Sequence, residues 1–463
     1  MSLKKSIKYT AFLFTLMISI IYLGSCRNGS LTGWIIMTQV PASVPDPDYT
    51  LGYPWRYSPG SRLVAVKPGM SLNERLVLTE GFFSACSPSL SYDGSFLLFT
   101  GKKDKSDPWQ VWIMDLNDMS IRQVTREEVN CLDPVYLPSG RIVFSRSASR
   151  NKPPPTFLLY SCNTDGSEMK QISFHPHRDM ASNIMLDGRL LTVSRQLSPR
   201  VGEQIYLALR PDGTKAELFY KPVPGGNLWG KGIETRDNEI VFIESSTQDP
   251  MKGDLLAVDQ NRPLNSRKNL ATAVPGSFHS ASEMPAGNFL VSYRDNPAET
   301  YALYEFDPQT GKLGELIVQR PDFHVFDPVM VAEYNRPRKL PSAVNESNPT
   351  GLLLCQDIHL SQIVDAIDNN SNLVQVWGRE GLMGEIQAEE DGSFYLKIAA
   401  DTPVQIRTVD LDGNTIRGPS AWIWLRPNER RGCVGCHADP ELVPENRVPM
   451  AVNKPPVEIP ANP

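Results

Sequence analysis

The chain has 463 residues, a net charge of −6 at neutral pH and a pI near 5.7, which is long enough for two or three domains with cores of their own. The mildly acidic balance, with no basic stripe, argues against a nucleic-acid partner. With 39 prolines and 32 glycines, the long apolar periods of a helical bundle are interrupted everywhere, and an all-β fold is expected.

Residues 1–25 read as an address. Lys4, Lys5 and Lys8 precede a 13-residue apolar run, Ala11 to Leu23, too short to cross a bilayer comfortably. The run ends in Leu23-Gly24-Ser25-Cys26, which resembles the lipobox of bacterial lipoproteins, where the signal is cut before a cysteine that is then acylated. An ordinary cleaved signal is the alternative reading. Either way the chain is expected outside the cytoplasm, and with acylated Cys26 as a membrane anchor it becomes a periplasmic or cell-surface lipoprotein of the outer membrane. Cleavage removes three lysines and no acid, taking the net charge from −6 to −9.

Residues 26–60, broken by five prolines, read as a tether that becomes the first docked strand. From residue 61 a repeat sets in. Turns at Asp93-Gly94, Ser139-Gly140, Asp187-Gly188, Asp237-Asn238 and Ala286-Gly287 each precede an apolar strand such as Phe96-Leu97-Leu98-Phe99 or Arg141-Ile142-Val143-Phe144. The steps between them are 46, 48, 50 and 49 residues, the size of one four-stranded propeller blade. A sixth start lies at Asp327-Pro328. The expectation is a six-bladed β-propeller over residues 61–345, with residues near 62–78 completing the last blade. A two-sheet sandwich or an open solenoid is the alternative. The pattern resembles the blades of periplasmic propellers in translocation proteins.

After a linker from Asn335 to Pro349, residues 349–430 read as a small β-sandwich with clean two-residue alternation. Its last strand is expected at Ser420 to Leu425, with Trp422 and Trp424 on one face, either as an aromatic wall for a cofactor or as core between the two domains. Asp410, Asp412 and Asn414 form a turn, since no glutamate at the twelfth position completes a calcium loop.

Residues 431–463 carry Arg431-Gly432-Cys433-Val434-Gly435-Cys436-His437. Two thiols three positions apart followed at once by an imidazole are the spacing that attaches a c-type haem. Each sulfur of Cys433 and Cys436 forms a thioether to the porphyrin, and His437 becomes the axial ligand of the iron. Seven of the residues 438–463 are proline, so the helices that wrap a small cytochrome are not expected to follow, and the haem has to rest on the β-rich region before it. Cys86, Cys131, Cys162 and Cys355 remain, as disulfides or as buried thiols. His175, His177, His279, His324 and His359 are the other histidines; histidines in such positions are more often structural, and none is assigned as a sixth ligand.

Glu389-Glu390-Asp391-Gly392-Ser393-Phe394, Ala399-Ala400-Asp401-Thr402-Pro403, Ser420-Ala421-Trp422, Arg426-Pro427-Asn428-Glu429 and the C-V-G-C-H motif, in that order after propeller repeats, resemble the hydrazine synthase alpha subunit family. The resemblance implies a single covalent haem c in the middle domain, with a histidine on one side and an open face on the other. It also implies a tyrosine bonded to that haem four residues past the histidine, where this chain has Glu441, and a further domain with a second haem, whereas this sequence ends at Pro463. A related haem protein is therefore expected rather than a synthase. It would act in electron transfer with a redox partner protein, or in redox chemistry on a small ligand as a haem-dependent oxidoreductase. The alternative is a propeller that binds a protein or glycan partner and keeps the haem as structure.

Overall fold

The computed structural model describes residues 31–44, 57–69, 75–148, 156–197, 201–246, 252–360, 372–435, 441 and 445–460. Among them β-strands are the only long elements, with one four-residue 3-10 turn at Met450–Asn453. The fold is all-β, as the breaker-rich composition implies.

The repeat is built as antiparallel four-stranded sheets. Ser84–Leu90, Phe96–Lys102, Gln110–Asp115 and Ile121–Gln123 pair in sequence order, and related units follow from Cys131, His177, Asn227 and Ser277, the first strand of the Asn227 unit being split into Asn227–Leu228 and Ile233–Glu234. The second and third units are joined by a parallel pairing of Phe157 with Arg178. A sixth sheet takes Phe323–Met330 as its first strand and completes it with Ile35–Pro41, Arg62–Val66 and Leu76–Val77. Ile35–Pro41 pairs on both sides, and six of its seven residues are buried. The segment expected as a tether therefore contains the central strand that closes the ring, and the β-rich domain begins before residue 61.

The sheets stack face to face, which is why their middle strands read as continuous apolar runs rather than alternating ones. Leu98 points to a core shared with Ile142 and Phe144 of the next unit, while Leu97 and Phe99 point back to one shared with Ile36 and Leu63 of the closing sheet. The sequence turns have the backbone the repeat demands: φ is +68° at Gly94, +86° at Gly140, +92° at Gly188, +60° at Asn238 and +99° at Gly287, a region that glycine and asparagine enter most readily.

A second repeat, inside the first strand of four of the six units, is less legible. Ser87, Asp133, Ala181 and Asp327 have φ between +49° and +59°, each in or beside a β-bulge where register shifts. The strain is held by bonds from unit to unit. The Asp133 carboxylate accepts Ser87 Oγ at 2.5 Å and Ala181 N at 2.9 Å, and Ser280 Oγ accepts Asp327 N at 2.9 Å.

Residues 350–458 form two four-stranded sheets packed over one core that includes Leu353, Val374, Val376, Leu396, Ile398 and Leu425. One sheet runs Leu382–Gln387, Leu373–Trp377, Gln405–Val409, Thr415–Arg417. The other runs Arg430–Gly435, Thr350–Asp357, Phe394–Ala399, Val457–Glu458, and both its edge strands pair in parallel with their neighbours. These edges lie beyond residue 430, where the sandwich was expected to end. The strand expected at Ser420–Leu425 is instead an extended segment with a single bridge, Ile423 to Val404.

Asp133→Ala leaves the Ser87 hydroxyl and the Ala181 amide buried without this acceptor, and each such group costs about 1–3 kcal/mol. The variant should lose roughly 3 kcal/mol, read as a lower urea midpoint with an unchanged slope. A loss under about 0.5 kcal/mol would show that the bulges hold without the carboxylate.

Candidate functional site

The C-V-G-C-H motif begins inside a strand. Arg430–Gly435 pairs in parallel with Thr350–Asp357, with Leu352 opposite Arg430, Cys355 opposite Cys433 and Asp357 opposite Gly435. Cys433 is half-buried, and its side chain packs against the sandwich core. Burial raises its thiol above the ordinary value. Gly435 lies so close to Leu360 that an added Cβ would stand 2.4 Å from the Leu360 carbonyl oxygen; the position tolerates no side chain. Cys436, His437 and Cys26 lie outside the described residues.

What holds this strand is the segment just before it. Trp424 leaves the sandwich and inserts between the second and third sheets of the ring, among Leu137, Leu159, Ile172, Leu190, Leu207 and Leu209. Its indole Nε1 donates to the Gly213 carbonyl at 3.2 Å. Of the two readings of the tryptophan pair, this residue takes the interdomain-core role. Arg426 donates through Nε to Asp212 O at 3.0 Å and lies over the Phe174 ring at 4.7 Å. Glu429 accepts Lys215 N and Arg426 N, each at 2.8 Å. Arg431 then donates to Ala216 O, and Lys215 Nζ to Arg430 O. The linker follows the same rim: Asp212 Oδ2 accepts Ala343 N at 2.9 Å, and Gly188 leaves room for the Arg338 carbonyl, 2.2 Å from where a Cβ would be.

The far side of the motif is fixed as well. Glu441 accepts Leu264 N at 2.6 Å and Asn265 Nδ2 at 2.8 Å. This carboxylate, at the position where the family resemblance implies a tyrosine on the haem, is committed to a propeller loop.

The residues described fit a covalently attached group. The first thiol sits on the terminal strand of its sheet, where no further strand among the described residues covers the rim, and the chain is anchored on both sides of the motif. Four of the other histidines are buried in the ring. His279 stacks on Phe326 with centroids 3.8 Å apart, and His324 Nδ1 accepts Tyr301 N. His359 lies beside the motif, two residues past Asp357, the register partner of Gly435; its Nε2 meets Asn372 Oδ1 at 2.9 Å.

Sequence reading missed a buried cluster at His175, His177 and Asp179, whose ligand atoms lie within 4.8 Å of one another. Asp179 takes bonds from His175 Nε2, Ser173 Oγ and Ser194 Oγ, each at 2.7 Å. His177 Nδ1 meets Ser194 Oγ at 3.0 Å, and its Nε2 is buried without a partner. The i, i+2, i+4 spacing was the available signal. Cys86, Cys131, Cys162 and Cys355 are buried thiols, which settles the disulfide alternative in favour of thiols in this structure. Burial pushes Cys131 up to about 12 and Cys162 up to about 11.

Residues 353–438 match the family model of the hydrazine synthase alpha subunit middle domain. The match starts inside Thr350–Asp357 and ends one residue past the motif. The chain is 21% identical to hydrazine synthase subunit alpha of Kuenenia stuttgartiensis over 87% of its length, and it spans 65% of that relative, a little under two thirds. The solved Kuenenia stuttgartiensis hydrazine synthase has the same fold, with a TM-score of 0.78 at 20% identity over 91% of this chain and 71% of that one. TolB from Acinetobacter baumannii gives a TM-score of 0.47 at 13% identity over 67% of this chain and 70% of that one.

Two outcomes follow from this geometry. Trp424→Ala empties a large buried site and should cost roughly 3–5 kcal/mol; limited proteolysis should then cut the 335–349 linker faster, while unchanged cleavage would mean that the tryptophan does not hold the domains together. His177 is held well below its usual 6.5 by burial, with His175 adding to the effect. Below about pH 6.5 the unfolded chain takes a proton there that the folded one refuses, so stability falls as pH falls, by up to about 1.4 kcal/mol per unit. His177→Gln should flatten that decline in a series of thermal midpoints between pH 7 and 5.5, and an equal slope in both proteins would refute the assignment.

Proposed function

We propose that this chain is an extracytoplasmic c-type haem lipoprotein related to the hydrazine synthase alpha subunit, with one haem held by thioethers from Cys433 and Cys436, and His437 as its axial ligand. The observation that carries the reading is the fixed placement of the motif's start and of its flanks: the first thiol is zipped to Thr350–Asp357, and the flanking residues Arg431 and Glu441 are tied to the propeller. Such anchoring on two sides gives a cofactor a defined position against both domains. When bound, the haem supplies one-electron transfer or a coordination position for a small ligand.

The chain's own residues define the rest. Glu441 is engaged with Leu264 and Asn265, which supports a related redox protein rather than a synthase. Of the other histidines, His359 lies two residues past Asp357, the register partner of Gly435, with its Nε2 engaged by Asn372 Oδ1. Acylated Cys26 would anchor the protein to the outer membrane, and a redox protein partner would exchange electrons at the exposed rim of the motif strand.

A second reading, a binding module with a structural haem, draws on a cavity of about 260 Å³ on the ring axis, lined by Tyr92, Lys231, Glu234, His279, Glu283 and Tyr334. The readings part on one preparation. Protein matured in a host that attaches c-type haem should show reduced thioether-haem bands at one haem per chain, shifted by carbon monoxide if the sixth position is open or weakly held. Cys433→Ala with Cys436→Ala should abolish the bands and leave a folded ring. Wild-type protein without haem would overturn the proposal.

A further inference from the structure

Cys355 and Cys433 are direct register partners across the parallel pair. Partners in adjacent strands point to the same face, and neighbouring strands lie about 4.8 Å apart. That spacing falls within the Cα separations of roughly 4.4–6.8 Å that a disulfide bridges. Both side chains meet the same core, Cys355 as a member and Cys433 packed against it. Both are thiols here. Cys433 is also the first thiol of C-V-G-C-H, so a residue with one chemical task has a second sulfur as its neighbour.

We propose that Cys355 and Cys433 are a redox modification site: oxidation joins them in a disulfide that withholds Cys433 from covalent attachment of a vinyl-bearing cofactor. The oxidant is a disulfide reagent, protein or small molecule, of an oxidising compartment. The Cys433 thiolate, its proton lost to solvent, attacks the reagent and displaces one thiol. The Cys355 thiolate then attacks the Cys433 sulfur of the mixed disulfide and displaces the second. Two electrons pass to the reagent, and two thiols leave. Thioether formation adds a sulfur and its hydrogen across a vinyl group, and a disulfide sulfur has no hydrogen to add. An external dithiol reverses the step. Burial raises the Cys433 thiol, so both exchange and attachment should quicken as pH rises. The disulfide stands on the register alone; the withholding role rests on the haem reading above.

The test uses the full chain made without haem, incubated with oxidised glutathione, acid-quenched, alkylated and mapped by mass spectrometry. A 355–433 linked peptide should appear, vanish with dithiothreitol and reduce Cys433 alkylation in proportion, while Cys131 and Cys162 stay unlinked. Cys355→Ala, with Cys355→Ser as a second variant, should lack the link. Matured with haem-attachment machinery under oxidising conditions, either variant should carry roughly twofold more haem than wild type, and the gap should close in reductant. Absence of the linked peptide while Cys433 alkylates fully, or its pairing with Cys436 instead, overturns the site. Equal haem loading under oxidation overturns the withholding role. A linked peptide in protein that takes up no haem in any form overturns the haem reading and leaves the disulfide standing.

Discussion

The parallel pairing of Arg430–Gly435 with Thr350–Asp357 is the constraint on which the rest of this molecule depends. Parallel neighbours cannot be joined by a tight hairpin; they need a crossover, and here the crossover is nearly the whole sandwich, since 72 residues separate Asp357 from Arg430. The last strand has its partner only where the rest of the sandwich presents it. The place of the motif is thereby made conditional on a folded domain, which that of a motif in a loop would not be.

The register of that strand is set from outside. Its own sequence, Arg-Arg-Gly-Cys-Val-Gly, offers no apolar alternation to choose between one register and the next. The choice falls to Trp424, Arg426 and Glu429, which key into the turn around Asp212, Gly213 and Lys215 immediately before the strand begins. Docking of the two domains and placement of the motif are one event.

This explains what the sequence disclosed and what it hid. The ring's period was legible because each unit repeats a local backbone requirement, a left-handed residue at the turn, that only a few residue types meet. The closure by Ile35–Pro41 was hidden because it joins residues nearly 290 apart, and a strand's partner is not written in its own composition. The sandwich was legible from its alternation and from family resemblance, whereas its edges at Arg430–Gly435 and Val457–Glu458 were not, because their partners supply the apolar face. The tryptophan pair misled in one respect: alternation of aromatic residues reads as a strand whether the chain pairs with a sheet or threads between two domains. Cys433 was legible as part of a motif, but its neighbour Cys355 emerges only from the register.

The polar part of the interdomain contact has a different role from the apolar part. Burial lifts the Asp401 carboxyl above its ordinary range even though the Arg426 guanidinium is bonded to it, so loss of water outweighs the attraction of the pair. A pair that is only partly buried, with its carboxylate still about a third exposed, is a weak source of stability. Affinity between the domains has to come from Trp424 and the aliphatic cluster it joins. What Arg426 supplies is direction: one side chain binds Asp401 in the sandwich and the Asp212 carbonyl in the ring, and neither bond survives a shift of one residue along either partner. The apolar contact would tolerate sliding; the guanidinium does not, and the motif strand four residues on inherits its fixed position.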